Sequence, residues 1–211
     1  MVAVSGVCAL SALSAKANSV TVQEVGVNPT EIVSINSATL GNNLSVYAGL
    51  NKLLVNGVAT DGFCIDPFHW SVSGAPYYDS QPLDVSPKAP GGPMGSAKAK
   101  EIEQLWLEYY SPAIDAAHAA GLQIAIWEIV GGTGFSLNGT EDYGAGAMLA
   151  WVVANPNAAT ANLLGLTGPG QDYVVPNSGG GGSVPDGGAT LLLLGGTLCG
   201  LVTIRQKLAL G

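Results

Sequence analysis

Basic side chains are scarce in this 211-residue chain, which has 7 Lys and Arg residues against 15 Asp and Glu residues. Between residues 18 and 184 the imbalance is larger: four lysines stand against fourteen acidic residues, so the net charge of that segment is −10. Such a surface repels a phosphate backbone, because binding to nucleic acid depends on neutralising phosphates with Lys and Arg. We therefore expect no nucleic-acid partner.

The first seventeen residues have the features of a segment that is removed on export. An apolar run of small residues from Val2 to Leu13 precedes an A-x-A cleavage signal at residues 15–17. Residues 1–17 are therefore predicted to be a secretory signal peptide, although the positively charged start of such peptides is missing. A buried N-terminal helix is the alternative, but no polar residue interrupts the run at a helical period.

The other end of the chain predicts a linker followed by a membrane segment. Residues 177–183, NSGGGGS, form a flexible linker. An apolar run from Ala189 to Ile204 follows and is closed by Arg205 and Lys207. As a helix this run spans about 24 Å, short of a hydrocarbon core of about 30 Å, so the bilayer has to thin or flanking residues have to contribute. We predict a single transmembrane helix with its basic end in the cytoplasm and the main body outside.

The motif Val184-Pro185-Asp186, the apolar run and the basic tail together resemble the PEP-CTERM sorting signals of bacteria, in the variant that begins V-P-D (VPDSG-CTERM). Two glycines follow where that variant usually carries Ser-Gly. The resemblance covers residues 184–211. It implies processing by an exosortase, transient anchoring by the C-terminal helix, and a destination at the cell surface or in the exopolysaccharide of a biofilm. A permanent single-span anchor is the alternative.

Cysteine is as scarce as basic charge, with three residues in the chain. Cys8 lies in the predicted signal peptide and Cys199 in the predicted membrane helix. Once both ends are set aside, Cys64 has no partner. A single cysteine in a protein exported to an oxidising compartment needs a chemical reason.

Residues 18–176 are predicted to form one extracellular domain of the α+β class, because about 165 residues suffice for one hydrophobic core and are few for two. The first part favours strands, with a bulge in the first one and a two-residue hairpin turn at Asn56-Gly57. Helical spacing follows, and then a last strand. This order favours a β-sandwich or barrel with an inserted helical segment. The predicted strands are 19–27, 31–35, 44–50 and 171–175, with a hairpin over 52–65. The predicted helices are 97–110, 112–130 and 143–154, and the second either continues through Gly121 or restarts after it, which would place Gln123 in the first turn of the restarted helix.

Two details of this prediction concern the segments beside the strand that ends near Cys64. Residues 71–96 are rich in proline and glycine and predict a long loop, which could cover the Cys64 region as a lid or be an idle insertion. Ser111-Pro112 is predicted to be the N-cap and first residue of the second helix.

Two short segments, FCID at 63–66 and LQIAIWEI at 122–129, carry the functional prediction. Together they resemble the two half-motifs of the thioester domains found at the tips of Gram-positive surface adhesins. There an aromatic or leucine residue precedes a cysteine, and a later glutamine starts a helical T-Q-x-A-I-W-like segment. Leu122 stands where threonine is frequent. The resemblance implies that Cys64 and Gln123 form an internal thioester for covalent attachment to a surface or polymer.

The chemistry of such a bond follows from the residue types. A thiol held against a carboxamide can displace ammonia, provided that the fold supplies the contact and excludes water, because effective molarities of about 10⁵ M or more are reached in such closures. Backbone N–H groups of a helix start are candidates for polarising the carbonyl. The polar side chains nearest in sequence that could steer a nucleophile are Asp66, His69, His118 and Glu128.

Two other functional classes stay open at this stage. One is a cysteine hydrolase that uses Cys64 with His69 or His118 as base and Asp115 or Glu128 as orienting group. The other is a structural biofilm protein without covalent chemistry, in which the cysteine is a small buried apolar residue. The acidic residues have no calcium-loop spacing, and we expect neither metal nor cofactor. The thioester interpretation predicts that the chain is not a turnover enzyme, because the reaction consumes the bond.

Overall fold

The computed structural model describes residues 18–177. The predicted signal peptide (1–17) and the segment from 178 onward, with the predicted sorting signal and membrane helix, lie outside the described residues. Within 18–177, none of the helices has the length and apolar character needed to cross a membrane.

Seven strands and three helices build the described part of the chain, which confirms the predicted α+β class. The strands are β1 Asn18–Ser37, β2 Gly41–Val55, β3 Val58–Cys64, β4 Tyr77–Pro82, β5 Phe135–Leu137, β6 Leu163–Thr167 and β7 Tyr173–Pro176. The helices are α1 Gly95–Tyr109, α2 Ala116–Gly131 and α3 Ala145–Ala154. All three helices lie between β4 and β6 in the chain, as an inserted helical segment with the short strand β5 inside it.

The strand pairings close a ring, as in a small barrel. All pairings are antiparallel and run β1–β2–β3–β7–β6–β4, and β4 then pairs with the first residues of β1. Strand β5 pairs with the other end of β1, outside this ring. The ring can close because β1 is 20 residues long and changes partner along its length.

The strands predicted at 19–27 and 31–35 were correctly placed, but the structure joins them into the single strand β1. The register of β1 against β2 shifts between Glu24 and Gly26, where a bulge was predicted, and again before Thr30. The turn at Asn56-Gly57 is confirmed: both residues have positive φ, 51° and 80°, as the tight turn between β2 and β3 requires. Strands β4, β5 and β6 were not predicted.

Helix α2 is the central helix and is buried almost all round, from Ala119 through Val130. It runs through Gly121 without a break. Glycine is required at this position because a Cβ would collide with the backbone carbonyl of Tyr143. The predicted start at Ser111-Pro112 was wrong. The N-cap is Asp115, whose carboxylate accepts a hydrogen bond from the His118 backbone N–H, and Ser111 instead closes a turn with Ile114.

The segment predicted as one long loop at 71–96 contains regular structure. It includes β4 and a 3₁₀ turn at Leu83–Val85, and α1 begins at Gly95. The remaining loop, 86–94, is attached to the rest of the fold through Lys88, which reaches the neighbourhood of Cys64 as described below. This part of the chain is therefore neither a free insertion nor a simple cover.

Candidate functional site

Cys64 is the last residue of β3, as predicted, and its backbone faces away from the neighbouring strand β7. The hydrogen bond from the Ile65 N–H to the Asp172 carbonyl sets the alternation of that antiparallel pair, so the polar groups of Cys64 point to the opposite side. On that side β2 would be the partner, but its pairing with β3 stops at Asn51 and Gly62. The end of β3 thus has one backbone edge without a strand beside it.

The carboxamide of Gln123 occupies this edge. Its Oε1 accepts a hydrogen bond from the Cys64 N–H at 2.9 Å, and its Nε2 donates one to the Cys64 carbonyl at 2.7 Å. A side-chain amide therefore pairs with Cys64 in the way that a peptide group of the next strand would. Gln123 is 1% exposed and Cys64 is 2% exposed, so the pair is shielded from solvent.

Gln123 lies on the eighth residue of α2, not in its first turn as predicted, because the helix already begins at Ala116. The helix start is therefore not what polarises the carboxamide oxygen. The backbone N–H of Cys64 itself is the donor to that oxygen.

The Cys64 sulfur has three polar neighbours. The indole Nε1–H of Trp127 donates to Sγ at 3.2 Å, and the Asp66 N–H donates to it at the same distance. The thiol itself can donate to the Asp66 carbonyl at 3.4 Å. Burial raises the pKa of the thiol well above its ordinary value, and the Trp127 hydrogen bond offsets part of this rise. The resting group is accordingly a neutral thiol.

Asp66 links the Cys64 segment to a wider charge cluster. Its fully buried carboxylate accepts from the Phe68 N–H at 3.1 Å, lies 2.8 Å from Nδ1 of His69 and 3.1 Å from Nζ of Lys88. The same ammonium lies 2.9 Å from Oδ1 of Asp172, which is also fully buried, and contacts the Gly170 carbonyl. Lys88 thus balances two buried carboxylates, one just after β3 and the other just before β7.

Burial raises the pKa of Asp172, and the hydrogen bonds from Lys88 and Gly168 act in the opposite direction. The carboxylate accepts from the backbone N–H of Lys88 at 2.7 Å and from that of Gly168 at 2.9 Å. These bonds hold the loop 86–94 against the start of β7.

A cleft of about 280 Å³ leads to Cys64. Cys64 and Trp127 lie in its wall together with His69 and Trp70 from the loop after β3. Strands β1 and β2 also contribute to the lining, with Glu24, Tyr47 and Asn51. Cys64 thus borders a cavity although it is buried.

The structure brings two of the four predicted accessory residues to this site. Asp66 and His69 lie two and five positions after Cys64. The Asp66 backbone contacts the Cys64 sulfur, and His69 lines the cleft. His118 is exposed and pairs with Asp115 at 2.8 Å, and Glu128 is half-buried with its pKa raised by burial and by Asp142. Neither His118 nor Glu128 lines the cleft.

Three residues of the site were missed from the sequence. Trp127 was part of the sequence motif but was given no role at the sulfur. Its position four residues after Gln123 was the available signal, since side chains at that spacing share a helix face. Lys88 and Asp172 carry no local signal, because the fold brings them together from 84 positions apart.

The arrangement does not favour hydrolase chemistry. Within residues 18–177, neither histidine ring is hydrogen-bonded to the Cys64 sulfur, and each pairs with an aspartate three residues before it. A nucleophilic thiol of a hydrolase needs an adjacent base or a lowered pKa, and the pKa of this thiol is raised. The described residues also contain no cluster of three or more His, Cys, Asp or Glu side chains suited to a metal ion.

Comparison with known proteins gives little further assignment. The chain matches no family model and no curated protein. Among solved structures it resembles the thioester domain of the Staphylococcus aureus TIE protein, with a TM-score of 0.45 and 16% sequence identity over 66% of this chain. The match spans about half of that protein chain, 54%. A likeness at this level assigns neither family nor function to the chain.

Proposed function

We propose that Cys64 and Gln123 form an internal thioester, and that the exported protein uses this bond for one covalent attachment to an extracellular surface or polymer. The observation that supports it best is the pairing of the Gln123 carboxamide with both backbone polar groups of Cys64, at 2.9 and 2.7 Å. Any buried carboxamide needs hydrogen-bond partners, and here both partners belong to the cysteine with which the glutamine would react, so the pair is held close together.

The bond would form by attack of the Cys64 sulfur on the side-chain carbonyl carbon of Gln123. The carbon–nitrogen bond breaks, the thiol proton is transferred to the nitrogen, and ammonia leaves. During the attack negative charge develops on Oε1, and the Cys64 N–H already donates to this oxygen. This N–H is therefore the candidate oxyanion donor.

The surroundings of the pair fit a reactive bond that must survive in water. Both side chains are almost fully buried, which slows hydrolysis, and the Cys64 side of the bond borders the cleft. When a nucleophile later attacks the thioester, the sulfur leaves towards the Trp127 N–H, a donor that favours developing negative charge.

The bond is consumed when it reacts, so the chain makes a single attachment and does not turn over substrate. Together with the sequence signals at both ends, this favours a protein sorted by an exosortase to the bacterial surface or biofilm matrix. Its partner there is a surface nucleophile, and the thioester chemistry requires no cofactor.

Intact mass of the purified chain tests the proposal directly. The wild-type chain is expected to be lighter than its sequence mass by one ammonia, and Cys64→Ala and Gln123→Ala should each restore the full mass. Gln104→Ala is a matched control, because Gln104 is also buried and helical but bonds to carbonyls of Asn155 and Ala158. Loss of ammonia that persists without Cys64 would come from another site, such as an Asn-Gly pair.

Methylamine gives the second half of the test. It should add at Gln123 in the wild-type chain and release one titratable thiol at Cys64. A free thiol together with an unmodified mass before any treatment would contradict the thioester, and would favour a non-covalent structural protein of the biofilm. A free thiol that turns over a model ester would instead indicate a hydrolase.

A further inference from the structure

His69 is a titratable side chain in the cleft wall that the thioester chemistry described so far does not use. It lies five residues after Cys64, and its Nδ1 is 2.8 Å from Oδ2 of Asp66. A carboxylate only accepts hydrogen bonds, so this contact assigns the proton of the neutral ring to Nδ1. The other ring nitrogen, Nε2, is then an unprotonated acceptor.

The loop that carries His69 is held on both sides. The hydroxyl of Ser37 donates to the Pro67 carbonyl at 2.8 Å, and the hydroxyl of Thr39 donates to the Phe68 carbonyl at 2.6 Å. On the far side, the Gln171 N–H donates to the Trp70 carbonyl at 3.0 Å. The backbone of the loop is therefore fixed, and the His69 side chain, held by Asp66, is 35% exposed.

The rest of the cleft wall suits a neutral sugar. Trp70 and Tyr47 are large aromatic side chains left 52% and 62% exposed, and aromatic faces of this kind stack against the C–H face of a sugar ring. Asn51 and Gln171 add polar groups to the same lining. Glu24 is the charged side chain on the β1 side of the cleft, and it disfavours an anionic polymer.

We propose that His69, oriented by Asp66, is the general base that lets a hydroxyl group of a neutral carbohydrate attack the thioester. This inference rests on the proposed function, since it concerns the same bond. A neutral amine has a lone pair ready for attack, whereas a hydroxyl group is a poor nucleophile until its proton is taken. A positioned base therefore matters far more for a hydroxyl than for an amine.

The step balances within the chain. The hydroxyl oxygen attacks the Gln123 carbonyl carbon while its proton passes to Nε2 of His69. The carbon–oxygen bond forms, the carbon–sulfur bond breaks, and the products are an ester at Gln123 and a thiolate at Cys64. The imidazolium then returns the proton to the sulfur. Burial favours this return, because it raises the pKa of the thiol. The carboxylate of Asp66 contacts the His69 ring and takes no part in the bond changes, so this side chain acts as a positioning group.

The charges around the ring come from four segments of the chain. Asp66 and Lys88 adjoin it, since Lys88 shares the same carboxylate oxygen with His69, and Asp172 lies on the other side of Lys88. Glu24 faces the cleft from β1. The experiment is therefore built on a ratio of two nucleophiles at one pH, in which these charges are constant.

The test compares methyl glucoside, a neutral sugar, with methylamine on the full chain, with adduct mass and thiol release as readouts. His69→Gln should slow transfer to the glucoside by about 100-fold or more and transfer to methylamine by less than about threefold. His118→Gln is the matched control, since His118 also pairs with an aspartate three residues earlier but lies outside the cleft. That variant should react as the wild type does with both probes.

Equal losses with both probes, or no loss with the glucoside, would overturn the role of His69. So would a wild-type chain that accepts methylamine and never the glucoside. In each of these cases the proposed thioester still stands, because ammonia has been lost and methylamine has added. A wild-type chain at its full sequence mass would refute both proposals at once.

Discussion

Replacing Gln123 by leucine in a chain that already carries Cys64→Ala isolates the structural part of the site from its chemistry. The alanine removes the sulfur, so no thioester can form, but the backbone N–H and C=O of residue 64 remain. Leucine then fills about the same volume as glutamine and offers these two groups no partner. Both belong to a residue that is 2% exposed, so water does not replace the lost hydrogen bonds.

The expected loss of stability can be worked from this geometry. A buried backbone group left without a partner costs about 1–3 kcal/mol, so two of them cost about 2–6 kcal/mol. Domains of this size are stable by about 5–15 kcal/mol, so the loss should be visible as a large shift of the urea midpoint. Tryptophan fluorescence can follow the unfolding, with the Cys64→Ala chain as reference. A difference below about 1 kcal/mol would show that the carboxamide does not pair with residue 64.

A Gln123→Glu change in the same background adds a test by pH. When protonated, the introduced carboxyl can donate to the residue 64 carbonyl and accept from the N–H, as the amide does; when ionised, it can only accept. Burial favours the neutral form, so the folded pKa is raised above the unfolded value of about 4.3. Its stabilisation is therefore complete below that value and is lost as the pH rises through the folded pKa. Stability that rose with pH relative to the Cys64→Ala chain would contradict this.

Three further predictions follow from the neighbouring contacts. Trp127→Phe removes the N–H donor to the Cys64 sulfur. Such a bond strengthens by about 1–2 kcal/mol when the acceptor becomes charged, so methylamine should react roughly 5- to 30-fold more slowly with this variant. An unchanged rate would refute the contact. Lys88→Met leaves Asp66 and Asp172 buried without their cation. Because the ammonium is partly solvated, we expect the free energy of unfolding in urea to fall by about 2–4 kcal/mol, less than the full value for a buried pair. A loss within roughly 0.5 kcal/mol, the range of a surface substitution, would contradict this. Burial raises the folded pKa of Asp172, so the stability from this group is present below the unfolded pKa of about 3.9 and falls as the pH rises. The wild type should therefore lose stability relative to Asp172→Asn between about pH 4 and pH 7. The opposite slope would be evidence against the raised pKa.

The sequence was sufficient to predict that the end of one strand and one helical segment meet, because the two short motifs carry that information together. It was not sufficient to place Gln123 within its helix. The N-terminal boundary is set by Asp115, whose side chain caps α2, and not by the Ser-Pro pair that has the usual composition of a helix start. This shift moves the candidate oxyanion donor from the helix start to the backbone of Cys64.

The accessory residues show where sequence proximity helps and where it misleads. Asp66 and His69 lie near Cys64 because the chain between them is short and runs as a loop. His118 and Glu128 are each five positions from Gln123, which turns them roughly 140° around the helix and away from Cys64. Trp127, four positions on, is turned by only roughly 40° and faces the sulfur.

Lys88 could not be predicted as part of the site by any local rule. It comes from a proline-rich segment whose sequence indicates only turns, and its partners lie 22 and 84 positions away. The closed ring of strands was equally hidden. It depends on the first four residues of β1 pairing with β4, a strand whose sequence, YYDSQP, has no alternation of apolar and polar residues.

The distance along the chain between Cys64 and Gln123, 59 positions, gives the proposed bond a built-in timing. While the polypeptide is still being threaded through a membrane, these two residues are an ordinary thiol and an ordinary amide, far apart and inert towards each other. Only the seating of the central helix against the end of the third strand turns them into an electrophile. A cell exporting such a protein would thus be protected from its reactivity until the molecule had folded on the outside.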